Sequence, residues 1–148
     1  MSASVVGARL DECGAPGFAL NVSHTEPTAS EHAYAAKIRA AVSAPRSRDF
    51  LNVARTDARG VTGMDDALRR AENYKRAGAD IVFPEALEST AEFKAFARKF
   101  GTGTLMANMT EFGRSPVLSV SELARLGFRL VLFPMTAFRT AAFAVQQS

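Results

Sequence analysis

GMDDALRRAENYKRAGADIVFP, Gly63 to Pro84, changes its apolar period part-way along. Met64, Ala67, Leu68, Ala71 and Tyr74 recur at i, i+3, i+4 and i+7 spacing, which places them on one stripe of a helix. Asp65 and Asp66 open this helix and Lys75 and Arg76 close it, both favourable to the helix dipole. Gly78 suits the left-handed position that follows a helix end. The period is then lost in DIVFP, residues 80–84, a short apolar run of the kind found in strands buried on both faces. A helix packed on a sheet, feeding a strand of that sheet, is therefore predicted.

Outward from this run the same unit repeats. Further strands are predicted at FLNVA (50–54), TLMAN (104–108) and RLVLFP (129–134). Ser89 with Glu92, and Ser119 with Glu122, have capping-box spacing before helices that stop at Gly101 and Gly127. Glycines at 78, 101 and 127 give a repeat of roughly 25 residues, the size of one βα unit with short loops. Upstream, EHAYAAKIRAAVSA is an Ala-rich helix with Tyr34, Ile38, Ala41 and Val42 on one side, ended by Pro45, and a strand is expected before it in FALNV, residues 18–22. The class is α/β with parallel strands. Such units build an open doubly wound sheet or a (β/α)8 barrel, and 148 residues are too few for the eight units of a barrel, which takes about 250.

Composition narrows the functional classes. Hydrophobic side chains make up 47% of the chain, enough for a real core, and no apolar run reaches the roughly 20 residues that span a bilayer. MSASVVGARL lacks the basic and apolar regions of a secretory signal, and the single cysteine, Cys13, can form neither an internal disulfide nor a zinc cluster, so the expected compartment is the cytoplasm. The net charge of +3 is spread without a basic cluster, which argues against a nucleic-acid partner. His24 and His32 form no ligand pair, and GTGT at 101–104 precedes a strand where a phosphate loop would follow one.

In either parallel architecture the functional face lies at the carboxyl ends of the strands. Four consecutive strands turn polar there: Arg55, Thr56 and Asp57; then Glu85; then Asn108, Thr110 and Glu111; then Thr136 and Arg139. Arginine offers a planar fork of donors that matches a carboxylate, and Asn and Thr add hydrogen bonds without charge, so a small di- or tricarboxylate is the expected ligand. Glu85 would face such an anion only with a cation or a proton between them, which points to a nearby metal ion; the alternative is a salt bridge from Glu85 to Arg55 or Arg139.

The ordered motifs ARTDA, FPEA, ANMTEFG and FPMTAFR, within residues 31–145, resemble the methylisocitrate lyases of the isocitrate lyase and phosphoenolpyruvate mutase superfamily. The resemblance implies a (β/α)8 TIM barrel and a Mg2+-dependent carbon–carbon lyase that cleaves 2-methylisocitrate to pyruvate and succinate. It implies that Arg55 and Arg139 hold substrate carboxylates, that Asn108 and Thr110 complete the pocket, and that Glu85 orients water on the Mg2+ ion. Relatives that cleave phosphonopyruvate or oxaloacetate share ARTDA-like and PEA-like motifs, whereas TEFG and FPMTAFR favour the lyase branch.

The aspartate run that binds the metal in this family and its KxCGH cysteine loop do not occur here, so no catalytic residue is identified and Cys13 does not replace the family cysteine. Where the family shows IED, this chain has Val22, Ser23 and His24. The expectation is one domain, 1–148: residues 1–30 as a divergent segment with a remnant of barrel strand 4, and residues 31–148 as units 4 (from its helix) to 8. A partial barrel of about five units leaves sheet edges open, so a second copy or a complementary barrel fragment is the expected partner. The alternative to a lyase is a non-catalytic barrel remnant, and the chain alone is expected to be inactive.

Overall fold

The computed structural model describes residues 6–10, 30–44 and 50–147, and the chain divides after Glu85 into two units. The first contains β1 (Val6–Leu10), α1 (Glu31–Ser43), β2 (Phe50–Thr56), α2 (Ala58–Val61), α3 (Met64–Arg76) and β3 (Ile81–Pro84). β2 pairs in parallel with β1 on one side and β3 on the other. Tyr34, Ala35 and Ile38 of α1, Ala54 of β2 and Tyr74 of α3 close into one core with Ala77 and Ala79. Tyr34 and Tyr74 meet edge to face with centroids 4.7 Å apart, and full burial of a side chain such as Ile38 contributes about 1.5–3 kcal/mol.

Two details refine the expected helix. Ala67, Ala71 and Tyr74 are buried as predicted, but Met64 and Leu68 are only half-buried, and Arg70 is buried with its Nε 2.8 Å from Asp66 Oδ2. Gly78 follows α3 with φ +104°, and a Cβ there would lie 3.0 Å from Val42 Cγ2 of α1. Only glycine satisfies both that backbone and that approach.

The second unit contains α4 (Thr90–Phe100), β4 (Leu105–Asn108), α5 (Val120–Leu126), β5 (Phe128–Leu132) and α6 (Thr136–Gln146), with β4 and β5 parallel. Ser89 and Ser119 cap α4 and α5 as the spacing predicted, and Ser119 with Glu122 forms a full capping box. Phe93 of α4 packs on Phe128 of β5 at 5.5 Å. α6 has no buried residue, and Phe138, Phe143 and Val145 are exposed along it.

The strands predicted at 50–54, 80–84, 104–108 and 129–134 are β2 to β5 with shifted ends. The strand expected at 18–22 lies outside the described residues, as do Cys13, His24 and Pro45. β1, α2 and α6 are elements that the sequence reading did not delimit.

Candidate functional site

The polar residues at the strand ends fall into two clusters, one in each unit. In the first, Ala54 faces the helices, so the strand's period of two turns Val53 and Arg55 to the opposite face of β2. Arg55 is buried, and its guanidinium is held on three sides. Nε lies 2.9 Å from Asp57 Oδ2 and Nη2 2.6 Å from Asp57 Oδ1, a bidentate pair, while Nη1 is 3.3 Å from Glu85 Oε2. Its plane also lies over the Phe83 ring, 5.2 Å from the centroid. Asp57 stands at the N-cap of α2 yet makes no side-chain cap hydrogen bond, and Arg55 takes its carboxylate instead. Glu85 is brought alongside because its N–H donates to the carbonyl of Thr56, 3.0 Å away.

The second cluster joins the loop after β4 to the start of α6. Arg139 donates through Nη1 to the carboxylate of Glu111, 3.2 Å away, and to the Glu111 backbone carbonyl, and the Thr136 hydroxyl donates to the same carboxylate. The hydrogen bond from Thr136, followed by that from its own backbone N–H, holds the Glu111 carboxyl below its usual value, with the Arg139 guanidinium acting in the same direction. Arg139 uses only Nη1 in these bonds; among the described residues its Nε and Nη2 edge donates to nothing. Asn108 closes β4 with its side-chain Oδ1 buried and without a hydrogen-bond partner among the described residues. Thr110 accepts from Gly113 N–H at 3.2 Å through its backbone carbonyl, which closes a tight turn.

Phe112, at the third position of that turn, has φ +65° and is 97% exposed. The Arg139 guanidinium carbon lies over its ring at 5.3 Å. A left-handed backbone at a non-glycine residue costs about 1–3 kcal/mol, and an exposed cation–π contact returns about 0.5–1 kcal/mol.

Of the residues singled out from sequence, Arg55 and Glu85 meet in the first unit, and Asn108, Thr110 and Arg139 belong to the second. Of the readings the sequence leaves open for Glu85, the structure shows the salt bridge to Arg55. Asp57 and Glu111 were noticed as polar strand-end residues, but their pairing with the two arginines was not; Asp57, two residues beyond Arg55, was the available signal. Phe83 and Phe112 were missed as ring faces for those arginines. His32 is exposed and lines a groove between α1 and α3 with Arg39 and Arg76, away from the strand ends. Among the described residues no group of three or more His, Cys, Asp or Glu side chains could hold a metal ion.

A family model for phosphoenolpyruvate phosphomutase matches residues 1–148. The chain belongs to that family. It is 53% identical over 105 residues to the 2-methylisocitrate lyase of Aeropyrum pernix, across 71% of this chain and 33% of the relative. It is 39% identical over 158 residues to the probable 2-methylisocitrate lyase 1 of Corynebacterium glutamicum, across 100% of this chain and 52% of the relative. The crystal structure of 2,3-dimethylmalate lyase, a member of the PEP mutase/isocitrate lyase superfamily, superposes with a TM-score of 0.81 at 28% identity, covering 95% of this chain and 48% of that one. The chain thus spans about half, or less, of the length of these relatives. The α/β class and the resemblance to this TIM-barrel superfamily hold, with part of a barrel represented. Among the described residues no helix is long and apolar enough to cross a membrane.

Proposed function

We propose that this chain supplies the carboxylate-binding part of a carbon–carbon lyase of the 2-methylisocitrate type, acting on a small di- or tricarboxylate in the cytoplasm. The observation that carries the reading is the Arg139 guanidinium. It is fixed through Nη1 while its Nε and Nη2 edge, the edge that matches a carboxylate bidentately, makes no hydrogen bond among the described residues. Arg139 binds one substrate carboxylate through that edge. Asn108, with its buried Oδ1, accepts a hydrogen bond from a substrate hydroxyl, and Thr110 adds a second neutral contact. Arg55 has its own fork taken by Asp57 and its Nη1 beside Glu85, so in the first unit it holds these two carboxylates in place.

In the family reading Glu85 would stand near a Mg2+ ion through water, and that ion would supply Lewis-acid polarisation of the hydroxy-acid group. The described residues do not themselves fit a Mg2+ site: Glu85 is already within ion-pair distance of Arg55, and no ligand cluster accompanies it. The direct metal ligands and the acid–base group are therefore to come from polypeptide other than the described residues. A second copy or a complementary barrel fragment is the proposed source, and Leu132, Phe133 and Phe138, all exposed at β5 and α6, are the apolar surface it would cover. The competing reading, a non-catalytic remnant, is favoured by the same absence of a metal-binding cluster among the described residues.

The deciding assay incubates the purified chain with 2-methylisocitrate and Mg2+ and follows pyruvate release, with Arg55→Ala and EDTA as controls. The proposal expects no turnover by the folded chain alone and turnover once the complementary part is added. Turnover by the chain alone, lost in both controls, would show a complete site; no turnover even with the complementary part would favour the remnant.

A further inference from the structure

We infer that Phe112 is a positioning residue, set in a left-handed turn so that its ring fixes the plane of the Arg139 guanidinium. Three observations converge. Phe112 occupies the turn position with φ +65°, where glycine is ordinarily found, although Gly113 stands next to it. Its ring gains almost nothing from burial, being 97% exposed. The ring nonetheless lies under the Arg139 guanidinium, with the guanidinium carbon 5.3 Å from its centroid. The strain exceeds what the contact returns in stability, and local rules broken without compensation are characteristic of functional positions.

The turn itself is set from both ends. Gly113 N–H donates to Thr110, and a Cβ on Gly113 would lie 3.0 Å from the Thr110 carbonyl oxygen, so a side chain is disfavoured at 113. Glu111, between them, grips Arg139 Nη1 by both its carbonyl and its carboxylate. Glu111 thus fixes one corner of the guanidinium and Phe112 fixes its plane. Together they orient the remaining Nε and Nη2 edge before any ligand arrives, which lowers the ordering cost of binding.

This inference rests on the carboxylate-binding reading for its purpose, but the ring–guanidinium contact is measurable without a ligand. In a proton–nitrogen spectrum of the 15N-labelled chain, the Arg139 Nε–H signal, assigned from Arg139→Lys, is expected upfield of other arginines because of the ring current. Phe112→Leu should move it downfield and Phe112→Trp should keep it upfield. Titration with succinate should show affinity weakened about two- to fivefold in Phe112→Leu and restored in Phe112→Trp. Phe112→Gly should weaken succinate equally while its unfolding midpoint is unchanged or raised, because the strain is relieved. An unmoved Arg139 signal in Phe112→Leu, or a clearly lowered midpoint in Phe112→Gly, would overturn the assignment. If the wild type binds no succinate while the ring shift is present, the carboxylate reading fails and the positioning contact stands.

Discussion

Arg55 and Asp57, two residues apart at the end of β2, form a bidentate ion pair in which Nη2 lies 2.6 Å from Oδ1 and Nε 2.9 Å from Oδ2. The pair consumes the side chain that would otherwise cap α2 and the fork that would otherwise bind a ligand. Its counterpart in the second unit, Arg139, is held by one corner only. The two arginines of the family motifs are therefore unequal: the fork of Arg55 is filled by Asp57, whereas the Nε and Nη2 edge of Arg139 makes no hydrogen bond among the described residues.

Replacing Asp57 by Ala removes the bidentate partner of a guanidinium whose side chain is 9% exposed, while the Glu85 carboxylate stays 3.3 Å away. The expected loss is about 1.5–3 kcal/mol, the usual range for hydrogen bonds to charged groups. Urea unfolding of the full chain checks it; a change within experimental error would mean that the pair contributes nothing to the fold.

Gly78→Ala should destabilise by about 1–3 kcal/mol, through both the forbidden φ and the collision with Val42. Pairing it with Val42→Ala separates the two causes. Partial recovery in the double variant is expected, and none would assign the whole effect to the backbone.

Asp66 gives a pH dependence of defined sign. Burial acts to raise its carboxyl, but the hydrogen bonds from Thr62 and Arg70 and the Arg70 charge outweigh it and hold the group below its ordinary value. The folded chain therefore favours ionised Asp66 more than the unfolded chain does. The resulting stability is fully present above the unfolded value, about 3.9, and is lost as the pH falls through the lower folded value. Wild type should lose stability relative to Asp66→Asn when unfolding midpoints are compared from pH 5 downward; parallel curves would contradict the network.

Much of this was legible in residues 50–132. There the strands are apolar runs punctuated by glycine, and Ser89 with Glu92 and Ser119 with Glu122 announced their helices. β1 was hard to read, because VGARL alternates only through Val6, Ala8 and Leu10 over five residues and carries Gly7 inside it, which weakens a strand pattern. α2 is a single turn, shorter than one amphipathic repeat. α6 is preceded by Met135, which makes no side-chain cap hydrogen bond, so no capping residue marks its start in the sequence. The site residues were legible as polar strand ends. Their pairings were not, since Glu111 and Arg139 are 28 residues apart and meet only when β4 and β5 are paired.

The central claim is that the Nε and Nη2 edge of Arg139 receives a carboxylate. The most direct measurement is a calorimetric titration of succinate into the full chain and into Arg139→Ala, whose side chain is 36% exposed in the wild type and can be truncated without opening the core. Saturable binding to the wild type that falls at least tenfold in the variant is the predicted result. Equal binding in both, or none in either folded protein, would contradict it.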